Sequence, residues 1–155
     1  EGVYYINSIV ESKIFITLIK GNIMTPKIVL TVTGIIQVIF AIGIFFGAGG
    51  LASDGIPEIS EQALWLGSTF VEVMAAMSLG TGIILLLSRD IEISGAKKVL
   101  MGAGISFLII IAVMIFHLIK NADMQGGKPP IPLMIVFSVL AVWSLYVAIK
   151  EGSSE

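Results

Sequence analysis

The stretch Ala63-Leu-Trp-Leu-Gly-Ser-Thr-Phe-Val-Glu72-Val-Met-Ala-Ala-Met-Ser-Leu-Gly-Thr-Gly-Ile-Ile-Leu-Leu-Leu87 holds a single ionisable residue, Glu72. A helix needs about 20 apolar residues to cross a ~30 Å hydrocarbon layer, and this run exceeds that length. Three more windows share its character: Ile28 to Phe46, Val99 to Ile119 and Ile131 to Ile149. All four are continuously apolar instead of alternating. Backbone polar groups in lipid must be satisfied within the segment, so the runs read as helices and not as barrel strands. The boundaries carry physical punctuation: Pro26 ahead of the first, the Gly47 to Gly50 cluster after it, and Pro129, Pro130 and Pro132 where the fourth begins. The expected fold is an all-α integral membrane protein, an antiparallel up-down bundle of four transmembrane helices forming one domain over residues 24–155.

Composition agrees. Of 155 residues, 56% are hydrophobic and 13% charged, whereas a soluble domain needs about 25% charged residues to wet its surface. The lipid bilayer is therefore the first expected partner. A net charge of -2 with scattered Lys and Arg leaves no basic patch to neutralise a row of phosphates, so nucleic acid is not expected as a partner. With no cysteine there is no thiolate site, and the single histidine, His117, rules out a multi-histidine metal or haem site within one chain. No cofactor is called for by these residue types.

Lys27 precedes the first helix, Arg89, Lys97 and Lys98 fill the second loop, and Lys150 follows the fourth helix. The first loop has no Lys or Arg, and the third has Lys120 and Lys128. By the positive-inside rule both termini are expected in the cytoplasm, in a multi-pass protein of the cell's inner membrane. The first loop, with Asp54, Glu58 and Glu61, then lies outside and reads as a solvated acidic loop. Residues 1–23 are too interrupted by Glu11, Lys13 and Lys20 to span a membrane. They read either as an amphipathic surface segment or as an N-terminal extension ahead of a native start at Met24.

Glu72 is the leading functional candidate, because a carboxyl at membrane depth costs roughly 2.5 kcal/mol or more and so calls for a partner or a task. Ser68, Thr69, Glu72, Ala75, Ala76 and Gly80 share one side of the second helix, and a small, polar side predicts a packing face. On that expectation Glu72 points into the bundle. The first helix has a matching stripe in Thr33, Gly34, Gln37 and Ala41, the third has Gly102, Ser106 and His117, and the fourth has Ser138, Ala141, Ser144 and Ala148. Counting ~1.5 Å per residue places Gln37 and Ser138 near the depth of Glu72, with His117 further outward. Two readings follow. One is an outward-facing polar pocket of Glu72, Gln37, Ser138 and His117 that binds a cationic or hydrogen-bonding ligand or exchanges a proton. The other is a neutral carboxyl bonded to Gln37 that fixes helix pairing, with Gly34, Ala41, Ser68, Ala76, Gly80, Gly102 and Ser106 as packing residues. No nucleophile, base and orienter can be assembled inside the membrane, so the chain reads as non-enzymatic.

A Gly-bearing first helix, a long loop, a second helix ending Leu-Leu-Leu-Ser-Arg89, a Gly-rich third helix and a proline-led fourth resemble the DoxX-like group of small membrane proteins and its DUF4345-type relatives. The resemblance covers Met24 to Lys150. It implies a four-helix bundle and, through some DoxX relatives, a role as a quinone-linked redox accessory. The run Phe70-Val-Glu-Val-Met-Ala-Ala-Met-Ser-Leu79 is similar to the glutamate-bearing helix of small multidrug-resistance exporters. That likeness implies that Glu72 binds proton and cation in competition. Three functions are thus expected in turn: a non-enzymatic accessory subunit or small-ligand-binding bundle, working with a membrane-protein partner or as a homo-oligomer; a proton- or cation-coupled transporter; and a quinone-linked accessory.

Overall fold

Pro26 opens α1 at a position where its missing N–H is not needed, and the helix runs Pro26–Ser53 in the computed structural model, which describes residues 25–54, 56, 58–120, 122–123 and 129–150. The reading of residues 1–23 as an extension lies outside the described residues. Ser60 caps α2 (Glu61–Leu87) by accepting from the Ala63 N–H at 3.3 Å. A 3-10 turn, Ser88–Asp90, leads to α3 (Ile93–Lys120), whose last turn carries His117 and Lys120 against the helix dipole. Pro130 precedes α4 (Ile131–Ile149). Among the described residues there is no strand, and all four helices are long and apolar enough to cross a membrane.

Two boundaries differ from expectation. The Gly47 to Gly50 cluster does not end α1, which continues to Ser53. A helical glycine costs only about 1 kcal/mol relative to alanine, and this extension is packed: Ala48 is buried, and a Cβ on Gly67 of α2 would lie 3.1 Å from that of Ala52. At the other end of the chain pair, α3 starts at Ile93, so Lys97 and Lys98 sit on helix and not in the loop. Hydropathy marks where lipid begins; it does not mark where a helix begins, and the amphipathic first turns of α3 extend past the apolar window.

Small residues decide which faces meet. At the α1–α2 crossing a Cβ on Gly34 would be 2.8 Å from Leu86 Cγ and 2.9 Å from the Gly82 carbonyl, and one on Gly82 would be 2.9 Å from the Gly34 carbonyl. The two backbones approach closely there, gaining dispersion contact that larger side chains would prevent. Gly34 opposes Gly82 while Ala52 opposes Gly67, so α1 and α2 run in opposite directions. Gly104 of α3 plays the same part against α4, its Cβ position lying 2.6 Å from Leu145 Cγ. Phe107 stacks on Phe137 of α4 at 5.6 Å, and Phe40 of α1 meets the same ring edge-on at 5.6 Å.

The pairs α1–α2 and α3–α4 are joined through α1, which packs on both α3 and α4. One core cluster, Val29, Leu30, Leu85, Ala96, Leu100, Val147 and Ala148, lies near the start of α1, with Trp143 against it. A second, around Phe107, Phe137, Leu140 and Ala141, lies further along. Leu85 is the one residue of α2 in either cluster. Lys27 Nζ binds the Asp90 carboxylate at 2.6 Å, tying the start of α1 to the turn after α2. Outward faces are lined by large apolar side chains, with Phe46 84% exposed and Leu87 74%. In water such a surface would be unstable, whereas against lipid tails it is ordinary.

Candidate functional site

Gln37 is buried at the α1–α2 interface, one turn from Gly34. Its side-chain carbonyl accepts a hydrogen bond from the Ser78 hydroxyl of α2. This satisfies the amide oxygen in the core, and it is not the bond expected with Glu72. Glu72 is exposed on α2, with no hydrogen-bond or ion partner among the described residues. The expected inward orientation of Glu72 is thereby corrected. The reason lies in helix geometry: Ala75, Ser78 and Gly82 form the small face that lets α2 approach α1. At about 100° per residue, Glu72 lies some 120° around the helix from Ser78. Close approach at Gly82 therefore selects Ser78 for Gln37 and turns Glu72 to the flank.

Ser138 and His117 do not join Glu72 either. The Ser138 hydroxyl donates to the Met134 carbonyl of its own helix at 2.8 Å and borders an open apolar groove of α4 with Val142, Trp143 and Tyr146. His117 is exposed near the end of α3, its ring 5.5 Å from that of Phe116. The four candidates thus occupy separate surfaces, and the polar pocket expected from depth alone is not assembled. Equal depth is a necessary condition for contact, but rotation about each helix axis supplies the other half.

Of the packing candidates, Gly34 and Ala41 are buried, and Ser68 is partly buried with its hydroxyl donating to the Trp65 carbonyl at 3.0 Å. Ala76, Gly102 and Ser106 are exposed. A Cβ on Gly80 or Gly102 would meet nothing within 4 Å among the described residues. The residues doing that work are their neighbours Gly82 and Gly104. Sequence reasoning missed Ser78, although its spacing of three from Ala75 and four from Gly82 placed it on the same small face.

The surroundings of Glu72 are chemically specific. Ala75, Ala76 and Leu79, one and two turns further along its side of α2, line a groove of about 280 Å³ with Ala41, Ile42, Phe45 and Phe46 of α1. The groove wall is almost wholly apolar, and the carboxyl is the one charged group on that flank at mid-helix. Among the described residues no group of three or more His, Cys, Asp or Glu could hold a metal ion. Such a flank can accept an apolar body and offer a single strong acceptor to a donor or cation. Comparison with family models, curated proteins and solved structures finds no match for this chain.

Proposed function

We propose that this chain is a non-enzymatic, multi-pass subunit of the inner membrane, with its four helices crossing up and down and both termini in the cytoplasm, that works by docking through the Glu72 flank of α2. Kinship with the DoxX-like architecture belongs to the same proposal. The observation that carries it is the outward position of Glu72 at the middle of an apolar helix. A carboxyl facing lipid there carries an insertion cost of roughly 2.5 kcal/mol or more, which a partner offering a hydrogen-bond donor or cation offsets. α2 also has free surface to offer, since it packs along α1 and contributes only Leu85 to the shared core. The groove beside Glu72 favours a second reading, a small lipid-soluble ligand with an apolar body and a donor head.

Native mass spectrometry of the chain drawn from membranes in lipid nanodiscs tests both. The wild type is expected to retain a protein partner, a second copy or a small ligand, and Glu72→Leu to lose it while remaining folded. A wild type that is monomeric and ligand-free, or a Glu72→Leu complex that persists, overturns the proposal. The same cells report orientation: impermeant maleimide should label Ser53→Cys and spare Ser94→Cys.

A further inference from the structure

Cations are unevenly paired at the end of the bundle where α4 finishes. Lys27 and Arg89 both bind the Asp90 carboxylate. Lys97 and Lys150 have no acidic partner among the described residues, yet the structure brings them together: the Lys97 ammonium donates to the Lys150 backbone carbonyl. Part of this is ordinary, because a cation stabilises a helix C-terminus. An ammonium has three donors, however, and that bond uses one of the six that the two lysines carry. Two cations are therefore concentrated at one helix end with no anion among the described residues to neutralise them.

The open groove of α4 leads to that end. Ser138, Val139, Val142, Trp143 and Tyr146 line its volume of about 480 Å³, and Val139, Val142 and Tyr146 are each more than half exposed. Lys150 continues the same helix, since its N–H bonds the Tyr146 carbonyl at 2.9 Å and its φ is -55°. At about 100° per residue it falls roughly 20° from Val139 and Trp143 and roughly 40° from Tyr146, on the face that carries the groove. The groove runs ~12 Å along the helix from Ser138 to Tyr146, and Lys150 stands ~6 Å beyond. Trp143 and Tyr146, rings with one polar edge, occupy the step between apolar wall and cations. A bilayer passes from hydrocarbon to headgroup over just such a step.

An occupant that suits this surface is apolar along the groove and anionic at its lysine end. A zwitterionic lipid would bring a second cation to the lysines and gain less. We propose that the α4 groove, with Lys97 and Lys150, binds one anionic phospholipid, an acyl chain lying against Val139, Val142 and Trp143 and the phosphate at the two ammonium groups. Lysine suits the task because its stem lies along apolar surface while its head reaches the headgroup layer. Attraction of a nearby lysine to anionic lipid corresponds to about five-fold in affinity. The inference rests on the four helices crossing a bilayer, and it is independent of the Glu72 flank.

Quenching of tryptophan by brominated lipid tests this, because the chain has two tryptophans: Trp143 in the groove and Trp65 at the start of α2, beside the acidic first loop. The full chain carrying Trp65→Phe is placed in phosphatidylcholine vesicles that contain, at equal mole fraction, acyl-brominated phosphatidylglycerol or acyl-brominated phosphatidylcholine. Trp143 should favour the phosphatidylglycerol by about five-fold or more. The converse chain, Trp143→Phe, should show no preference at Trp65. Lys97→Gln with Lys150→Gln keeps a donor for the helix end and should abolish the preference while circular dichroism stays unchanged. Val142→Phe, which fills the groove and keeps both lysines, should reduce it. Equal quenching of Trp143 by the two lipids overturns the proposal, as does a preference that survives either variant or appears equally at Trp65. Quenching of Trp65 alone would mean that protein covers the groove, and overturns it too. Displacement by oleate but not by unbrominated phosphatidylglycerol would make the occupant a fatty acid and do the same. No quenching at either tryptophan would overturn the bilayer crossing itself, and the site with it.

Discussion

Gln37 and Glu72 are two mid-helix polar side chains on adjacent helices of nearly equal length, and the structure treats them oppositely. Gln37 sits in the core with a hydroxyl partner, while Glu72 stands on the outside with none among the described residues. What separates them is the role of the helix that carries each. α1 contacts all three others, whereas α2 leans on α1 and leaves most of its circumference outward. A polar group is enclosed where neighbours on both sides demand that face. Elsewhere it is left for something outside the chain.

The largest effect is expected where the difference is created, at the α1–α2 crossing. Gly82→Val would drive side-chain atoms into the Gly34 carbonyl, which cannot yield as a side chain can. The expected loss is about 3 kcal/mol, at the upper end of overpacking costs. Gly80→Ala, two residues away in open space, is expected to leave stability unchanged or raise it by up to about 1 kcal/mol through helix propensity. Thermal unfolding in detergent decides, and equal effects at the two glycines would show that the crossing does not depend on close approach.

A middle-sized effect should distinguish the two polar groups themselves. Gln37→Leu leaves the Ser78 hydroxyl without its acceptor at a part-buried site and should destabilise the chain by roughly 1–3 kcal/mol. Glu72→Leu should cost the isolated chain nothing, since no bond is lost. Its penalty should appear only in association, as loss of whatever covers the flank. Destabilisation of the purified monomer by Glu72→Leu would mean that the carboxyl is bonded within the chain after all.

The smallest effect is expected at the rim. Lys27 and Asp90 pair at 2.6 Å, but both side chains are more than half exposed. Exposed ion pairs are weak because water and salt screen them. Lys27→Ala should shift the melting temperature little in low salt and not detectably in high salt. A large, salt-independent loss would make this pair a structural anchor of α1 on α2 instead of a surface contact.

Much of the fold was legible in advance, and the reasons are particular. The window Ile131 to Ile149 coincides with α4, because prolines block helix on one side and the chain turns polar on the other. The start of α1 follows from Pro26 in the same way. The end of α1 did not, since the Gly47 to Gly50 cluster lowers helix propensity by amounts that burial of Ala48 and packing of Ala52 against α2 outweigh. The stripe Thr33, Gly34, Gln37 and Ala41 is buried throughout, because it holds Gly34, where the backbone of α1 closes on that of α2. On α2 the stripe containing Glu72 was misassigned, because two small faces compete there and Gly82 belongs to the other one.

The sequence by itself determined the number of helices, their apolar character and the place of each polar side chain along its helix, since these depend only on residue type and a fixed rise per residue. Tertiary structure alone decided the rotation of each helix about its axis. That rotation depends on which small residues let two backbones approach, a property shared between helices and written in neither one. It sent Gln37 to Ser78 and left Glu72 facing out.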